Sequence, residues 1–285
     1  MRLAEAFEVR PRDVVAIVGG GGKTTLMFRL AAELAVAGWR VVTTTSTRLA
    51  ASETRLPPVC LAQADGQARL AELRLALRRS RHVLAVREIV PELDLAGGLP
   101  LAEIEQIAAL PEVDALIVEA DGSRKRPLKA PAVYEPVMPG CATLVIPVVG
   151  LDVLGCPLTD DFVHRPQLVA NLAGVALGQP ITETIVSAVI GSQQGGAKAV
   201  PPAGRVAPFL NKAENQARRR AAHAIAEMLL QRPWIERVVV GAAAAPDPVR
   251  AIWRRSGLSL RVDPADGGYA AELAGLVDGY LAATP

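Results

Sequence analysis

Five apolar residues, Val14 to Val18, run directly into four glycines, Gly19 to Gly22, then into Lys23-Thr24-Thr25 and an apolar repeat that halts at Gly38. No other stretch constrains the fold as much. A continuous apolar run between polar flanks suits a strand covered on both faces in a parallel sheet. Leu26, Leu30, Leu34 and Ala37 recur every three or four positions, as in a helix buried along one side, and Gly38 suits its left-handed cap. Arg40 to Thr45 reads as a second strand, so the opening is a βαβ unit whose helix starts directly from a glycine loop.

The alternation continues along the chain. Helices are predicted near 65–80, 101–110, 180–190, 214–230 and 269–282, and strands at His82 to Val86, Asp114 to Val118, Thr143 to Val149, Arg205 to Leu210 and Val238 to Gly241. The expectation is an α/β, P-loop NTPase-like three-layer fold with a mostly parallel sheet, forming one domain over 1–285. Two stretches lack this pattern. Glu119 to Gly140 carries four prolines and the cations Arg124, Lys125, Arg126 and Lys129, while Gly191 to Gly204 is rich in Gly and Pro and reads as mobile. They mark a loop-rich substrate or partner segment inserted at about 122–204.

Composition narrows the function. With 51% hydrophobic and 21% charged residues, the chain can bury a core. Its 31 Lys and Arg against 29 Asp and Glu leave a net charge of +2, too balanced for the dense cationic face of a nucleic-acid binder. Cys60, Cys141 and Cys156 form no CxxC pair, which points away from zinc and thiol exchange and towards a reducing, cytoplasmic setting. The charged start, MRLAEAFEVRPRD, does not read as a signal peptide, and no apolar run approaches the ~20 residues of a membrane span.

The chemistry centres on the glycine loop. Backbone N–H groups of Gly19, Gly20, Gly21 and Gly22 can close around phosphate oxygens, with Lys23 reaching the outer phosphates, Thr24 on Mg²⁺ and Thr25 completing the motif. The match is to a shortened GxxGKTT form, because Ile17 stands where GxxxxGK[ST] requires glycine. The strand before Glu119 and Asp121 delivers both carboxylates to the end where such sheets bind ligands, and there they can hold Mg²⁺ or orient water. Lys23, Asp121 and Glu119 are therefore the candidate catalytic set.

Asn211-Lys212-Ala213-Glu214 resembles the NKxD base-reading motif of GTPases, with Glu214 one methylene longer than the aspartate. It reads equally well as a helix start, Asn211 capping and Glu214 at the third helical position. Arg124, Lys125, Arg126 and Lys129 are expected to face an anionic substrate, partner or terminal phosphate. His164, beside Arg165, offers a group that could titrate near neutral pH. Thr43 to Thr47 could present hydroxyls to phosphate or act simply as strand residues.

In this order, VGGGGKTT, VVTTTSTR, VEADGSRKRPLKAPAVYEPVMP, VVGLDVLGCPLTDDFVHRP and FLNKAE resemble the YqeC family over about Val14 to Asn215. That resemblance implies an accessory protein for selenium-dependent molybdenum hydroxylases or their cofactor, binding and hydrolysing GTP or ATP with Mg²⁺. Its implied partners are the nucleotide and a molybdenum hydroxylase or its pterin cofactor. Two alternatives stand beside it: a nucleotide-gated chaperone that delivers cofactor without significant turnover, and an ATP-dependent, ligase- or kinase-like enzyme with a Mur-type GxxGKT loop.

Overall fold

The computed structural model describes residues 1–62, 66–255 and 260–261. Strand β1 (Val14–Gly19) is buried throughout, as a two-sided strand must be, and leads through the glycine loop into helix α1 (Lys23–Val36). The chain returns as β2 (Val41–Thr45), then α2 (Gly66–Arg79), β3 (His82–Ala85), α3 (Leu101–Ala109) and β4 (Ala115–Glu119). After β5 (Leu144–Gly150) come α4 (Pro166–Ala173), α5 (Glu183–Ile190), β6 (Phe209–Asn211), α6 (Gln216–Leu230), β7 (Arg237–Gly241) and β8 (Val249–Arg254). The helix expected near 269–282 lies outside the described residues.

Among the described residues one 11-stranded sheet dominates, its centre ordered β8-β7-β6-β5-β1-β4-β2-β3. All neighbours from β7 to β3 run parallel, and only the β8 side is antiparallel. The chain thus has the expected α/β fold with a mostly parallel sheet. Alternate residues of β1 separate the layers. Val15 and Ile17 pack beneath α1 and the N-terminal turn Leu3–Ala6, whereas Ala16 and Val18 face Met138 and Val145 on the other side. On that second side α2 and α3 cover β2, β3 and β4, while α4, α5 and α6 cover β5, β6 and β7.

Two expectations on the sheet and its loops need correction. The strand expected at Arg205 to Leu210 is split into Arg205–Val206 and Phe209–Asn211, because Pro208 has no N–H to continue the ladder. Gly191 to Gly204, read as mobile, is folded tightly. Gly196 donates its N–H to the Val189 carbonyl at 2.9 Å, and Lys198 reaches the carbonyls of Ala132 and Val133. A Gly-rich composition here serves close packing, since a Cβ on Gly195 would lie 2.0 Å from the Val189 oxygen.

The 122–204 stretch also supplies β5, which lies beside β1 at the centre of the sheet. Within it Leu128–Lys129 pairs in parallel with Val163–His164, a bridge too short to leave a periodic signal. No helix of the described residues is long and apolar enough to cross a membrane.

Candidate functional site

The four glycines turn the chain where side chains would not fit. A Cβ on Gly20 would stand 2.4 Å from the Arg126 carbonyl oxygen, and one on Gly21 would stand 2.2 Å from the Gly150 nitrogen. The loop is clasped between the segment after β4 and the end of β5. Gly21 and Gly22 adopt φ of 78° and 115°, which L side chains resist.

This clasp divides the loop amides into two sets. Gly19 N–H points at both Asp121 carboxylate oxygens at 3.1 Å, Gly20 donates to the Val148 carbonyl at 2.9 Å, and Gly21 donates to the Arg126 carbonyl at 3.1 Å. The expectation that the whole glycine run faces phosphate is thereby corrected: these three amides hold the loop itself. The N–H groups of Gly22, Lys23, Thr24 and Thr25 have no acceptor among the described residues. They open the 14-residue helix α1, so an anion placed there meets four donors and the positive end of the helix dipole.

Lys23, Glu119 and Asp121 converge as the spacing predicts. The buried ammonium of Lys23 lies 2.9 Å from the Gly19 carbonyl, 3.4 Å from Glu119 Oε1 and 3.5 Å from Asp121 Oδ1. Burial alone would push its pKa down, but the two carboxylates outweigh that and hold it above the usual lysine value. Thr24 Oγ1 donates to Glu119 Oε2 at 2.8 Å. Burial raises the Glu119 carboxyl above its ordinary range, against the opposing pull of Lys23 and Thr24. A buried carboxylate short of positive charge is a site that a cation would relieve.

These oxygens fit Mg²⁺. Among the described residues no group of three or more His, Cys, Asp or Glu side chains could hold a metal. Thr24, Glu119 and Asp121 instead offer a partial set of hard oxygens, which suits an ion that keeps several waters and takes its remaining ligands from phosphate.

The base-side segment separates into three fates. Asn211, buried at the end of β6, donates to the Gly21 carbonyl at 2.8 Å and accepts from Ala243 N–H at 2.9 Å, bracing the glycine loop against the segment after β7. Lys212 has φ of 62° and pairs with Asp152 at 2.6 Å. Glu214 lies at the surface and pairs with Arg218 at 3.0 Å. The expected cap at Asn211 is corrected: Asn215 caps α6, its side chain accepting from Arg218 N–H at 2.9 Å.

The basic stretch is divided too. Arg124 and Lys125 are exposed at φ of 51° and 61°, and Arg126 is half-buried with its carbonyl on Gly21. Lys129, expected to face substrate, is fully buried between Asp121 at 3.1 Å and Glu135 at 2.9 Å. Arg165 pairs with the same Glu135 and reaches Tyr134 Oη at 3.3 Å. Burial would raise the Glu135 carboxyl, yet hydrogen bonds from Arg165 and Lys129 hold it at about 2.

His164 does not titrate near neutrality, because burial and then the charges of Arg165 and Lys129 push it down to about 4. Thr43 to Thr45 act as strand residues. Thr43 Oγ1 meets His82 Nε2 at 2.9 Å, and Thr44 and Thr45 donate to the carbonyls of Ala85 and Glu119 at 2.7 and 2.8 Å.

The YqeC protein family profile matches residues 15–167. The Uncharacterized protein YqeC of Escherichia coli (strain K12) is 31% identical over 199 residues, covering 70% of this chain and 75% of that one. This chain belongs to the YqeC family. Among solved structures, chloroplast FtsY from Physcomitrella patens is similar at 14% identity and a TM-score of 0.41, over 96% of this chain and 65% of that one. Cell division protein ftsY from Thermotoga maritima is similar at 16% identity and a TM-score of 0.35, over 96% of this chain and 69% of that one. The chain thus spans about two thirds of the length of these FtsY chains.

Two residues at this site escaped the sequence reading. Glu135 is the one acid between the basic stretch and Pro136, and that isolation was its available signal. Asp152 follows β5 directly, at the same sheet end as Glu119; its Oδ1 is buried with no partner among the described residues. A carboxylate two residues past a buried strand was the same kind of clue that singled out Asp121.

Proposed function

We propose that this YqeC-family chain binds GTP or ATP with Mg²⁺ and hydrolyses it, as an accessory protein in the maturation of selenium-dependent molybdenum hydroxylases or their cofactor. The observation that carries the nucleotide part is the convergence of four acceptor-free N–H groups, Gly22 to Thr25, with Lys23, Thr24, Glu119 and Asp121. Those amides hold phosphate oxygens, and Lys23 passes from the Gly19 carbonyl to the outer phosphates. Thr24, Glu119 and Asp121 would hold Mg²⁺, which when bound supplies positive charge to the transferring phosphoryl group. Asp121, fixed by Gly19 N–H, orients water.

Asn211 ties the glycine loop to the Ala243 segment, which supports a base seated on that side. Glu214 pairs with Arg218 at the surface, and a weak surface pair decides nothing about the base, so GTP and ATP are tested together. The hydroxylase role rests on the family resemblance. Free thiols at Cys60, Cys141 and Cys156 support a reducing, cytoplasmic setting. The partners are the nucleotide and a molybdenum hydroxylase or its pterin cofactor, without nucleic acid or membrane.

Calorimetry with GTP and ATP, with and without Mg²⁺, tests the reading on the wild-type chain and on Lys23→Ala. Wild-type binding that the substitution abolishes supports it, and equal affinity in both rejects it. A second reading, nucleotide-gated delivery with little turnover, is favoured by Val133 and Tyr134. These are 96% and 75% exposed, on the loop that Glu135 and Arg165 connect to the site. Phosphate release measured with and without a hydroxylase separates the two, since fast partner-independent turnover removes the delivery reading.

A further inference from the structure

Lys129 is a lysine with no exposed side-chain surface. Its ammonium donates a hydrogen bond to the Gly122 carbonyl at 2.6 Å and forms ion pairs with Glu135 Oε2 at 2.9 Å and Asp121 Oδ2 at 3.1 Å. It therefore cannot bind an external anion without giving up one of these acceptors. Three convergent acceptors suit the compact ammonium of lysine rather than the planar fork of arginine.

Asp121 has a cation on each side. Its Oδ1 faces Lys23 at 3.5 Å, its Oδ2 faces Lys129 at 3.1 Å, and both oxygens lie 3.1 Å from Gly19 N. If Lys23 moves to a phosphate, one of the two cations leaves. Were Lys129 absent as well, this buried carboxylate would face a polyphosphate with the Gly19 amide as its one remaining partner among the described residues, and would be driven away from the ligand or out of its position.

Lys129 is built to stay. Glu135 holds it from the far side and is itself held by Arg165, while the Lys129 backbone pairs with His164. The side chains form a line of alternating charge, buried from Glu135 inward: Arg165, Glu135, Lys129, Asp121, Lys23, Glu119. At Lys23, and at Glu119 through the Thr24 hydroxyl, the line borders the four acceptor-free amides at the start of α1.

We propose that Lys129 is a positioning residue that keeps the Asp121 carboxylate aligned with the glycine loop after Lys23 has moved to the phosphates. The inference rests on the nucleotide reading of the site, and deepens it by separating two lysines that the sequence presents as one kind. Lys23 is the mobile cation that touches ligand. Lys129 is the fixed cation that acts through Asp121 on the metal-dependent part of binding.

The test uses the full chain and calorimetry with non-hydrolysable GTP and ATP analogues, in Mg²⁺ and again in EDTA, on wild type, Lys129→Met and Lys129→Arg. Lys129→Met is expected to lose at least tenfold in affinity in Mg²⁺ and less than threefold in EDTA, so the gain from Mg²⁺ collapses. Lys129→Arg restores part of that gain because it restores the charge. An equal loss in both media, no loss in either, or identical behaviour of the Met and Arg variants overturns the proposal.

Should Lys129→Met fail to fold by thermal melting, Glu135→Gln carries the test. It removes the anchor of Lys129 at constant size, and is expected to weaken binding three- to tenfold in Mg²⁺ with little change in EDTA. Parallel losses in the two media again overturn the inference. A wild-type chain that binds neither analogue in either medium refutes the nucleotide reading itself, an outcome visible before any variant is made.

Discussion

At the Gly19–Thr25 end of the site, Lys23, Glu119, Asp121 and Lys129 are buried and each is bonded to another member of the group. At the Asn211–Glu214 end, one residue is buried on the loop, one is half-exposed on Asp152 and one is at the surface on Arg218. Both ends lie just past parallel strands of one sheet, so topology alone does not separate them. The difference lies in how many partners each side chain must satisfy. A group with several buried partners has one place to go, whereas a lone carboxylate on a helix start takes the nearest arginine.

The comparison breaks most visibly at Lys23. Removing it leaves Glu119 and Asp121 buried without the cation between them, and breaking a buried pair costs about 3–5 kcal/mol. Lys23→Ala is expected to lower the melting temperature and to reduce affinity for Mg²⁺-nucleotide by at least ~100-fold, about 2.7 kcal/mol. Melting and calorimetry on the same sample read both effects. A variant that binds as tightly as wild type would show that the buried group is structural and that the ligand sits elsewhere.

Asn211 is the one residue of the base end that shares the character of the phosphate end. Asn211→Ala leaves Gly21 O and Ala243 N–H without their partner, a loss of about 1–3 kcal/mol. Its stability loss should approach that of a core substitution, and its nucleotide affinity should fall about tenfold as the loop loosens. An affinity loss without a stability loss would instead assign Asn211 to direct ligand contact.

A third change, remote from both ends, separates site effects from the acid sensitivity of the fold. His82 is buried at β3 against Thr43, and burial pushes its pKa down to about 3. The folded imidazole stays neutral down to that pH, while an unfolded one takes up its proton below ~6.5. Between those values the unfolded state binds more protons, so stability falls as pH falls, on average by about 1 kcal/mol per pH unit from pH 7 to 5 and approaching about 1.4 at the acid end. Urea titrations between pH 7 and 5 should show this slope in wild type and a flatter one in His82→Asn. Equal slopes would assign the acid sensitivity to other groups.

What the sequence made legible follows the same division. The β1–glycine loop–α1 passage was readable because each of its signals is local: an apolar run, a run of glycines, a helical repeat. The convergence of Glu119 and Asp121 on the glycine loop was readable because they follow the C-terminal end of a buried strand parallel to β1. The role of Arg126 was not, since it acts through a backbone carbonyl that any residue carries. Glu135, Asp152 and Ala243 were hidden for a related reason: Arg165, Lys212 and Asn211, with which they pair in turn, are far away in sequence, and only the folded chain brings them within bonding distance. Lys129 was noticed as a cation but grouped with its exposed neighbours, because a charge run does not reveal which member turns inward.

The smallest expected effect is the one that sharpens the comparison furthest. Glu214→Ala removes a surface pair with Arg218 of the i,i+4 kind, whose contribution is about 0.3–0.5 kcal/mol. If Glu214 reads the base, the same substitution must also change the ratio of GTP to ATP affinity, because two donors on guanine would lose their acceptor. With its carboxylate on Arg218, the ratio is expected to change less than ~2-fold, within the reach of competition calorimetry. A larger change would mean that Glu214 leaves Arg218 when nucleotide arrives, and that the base end is assembled by the ligand while the phosphate end is assembled by the fold.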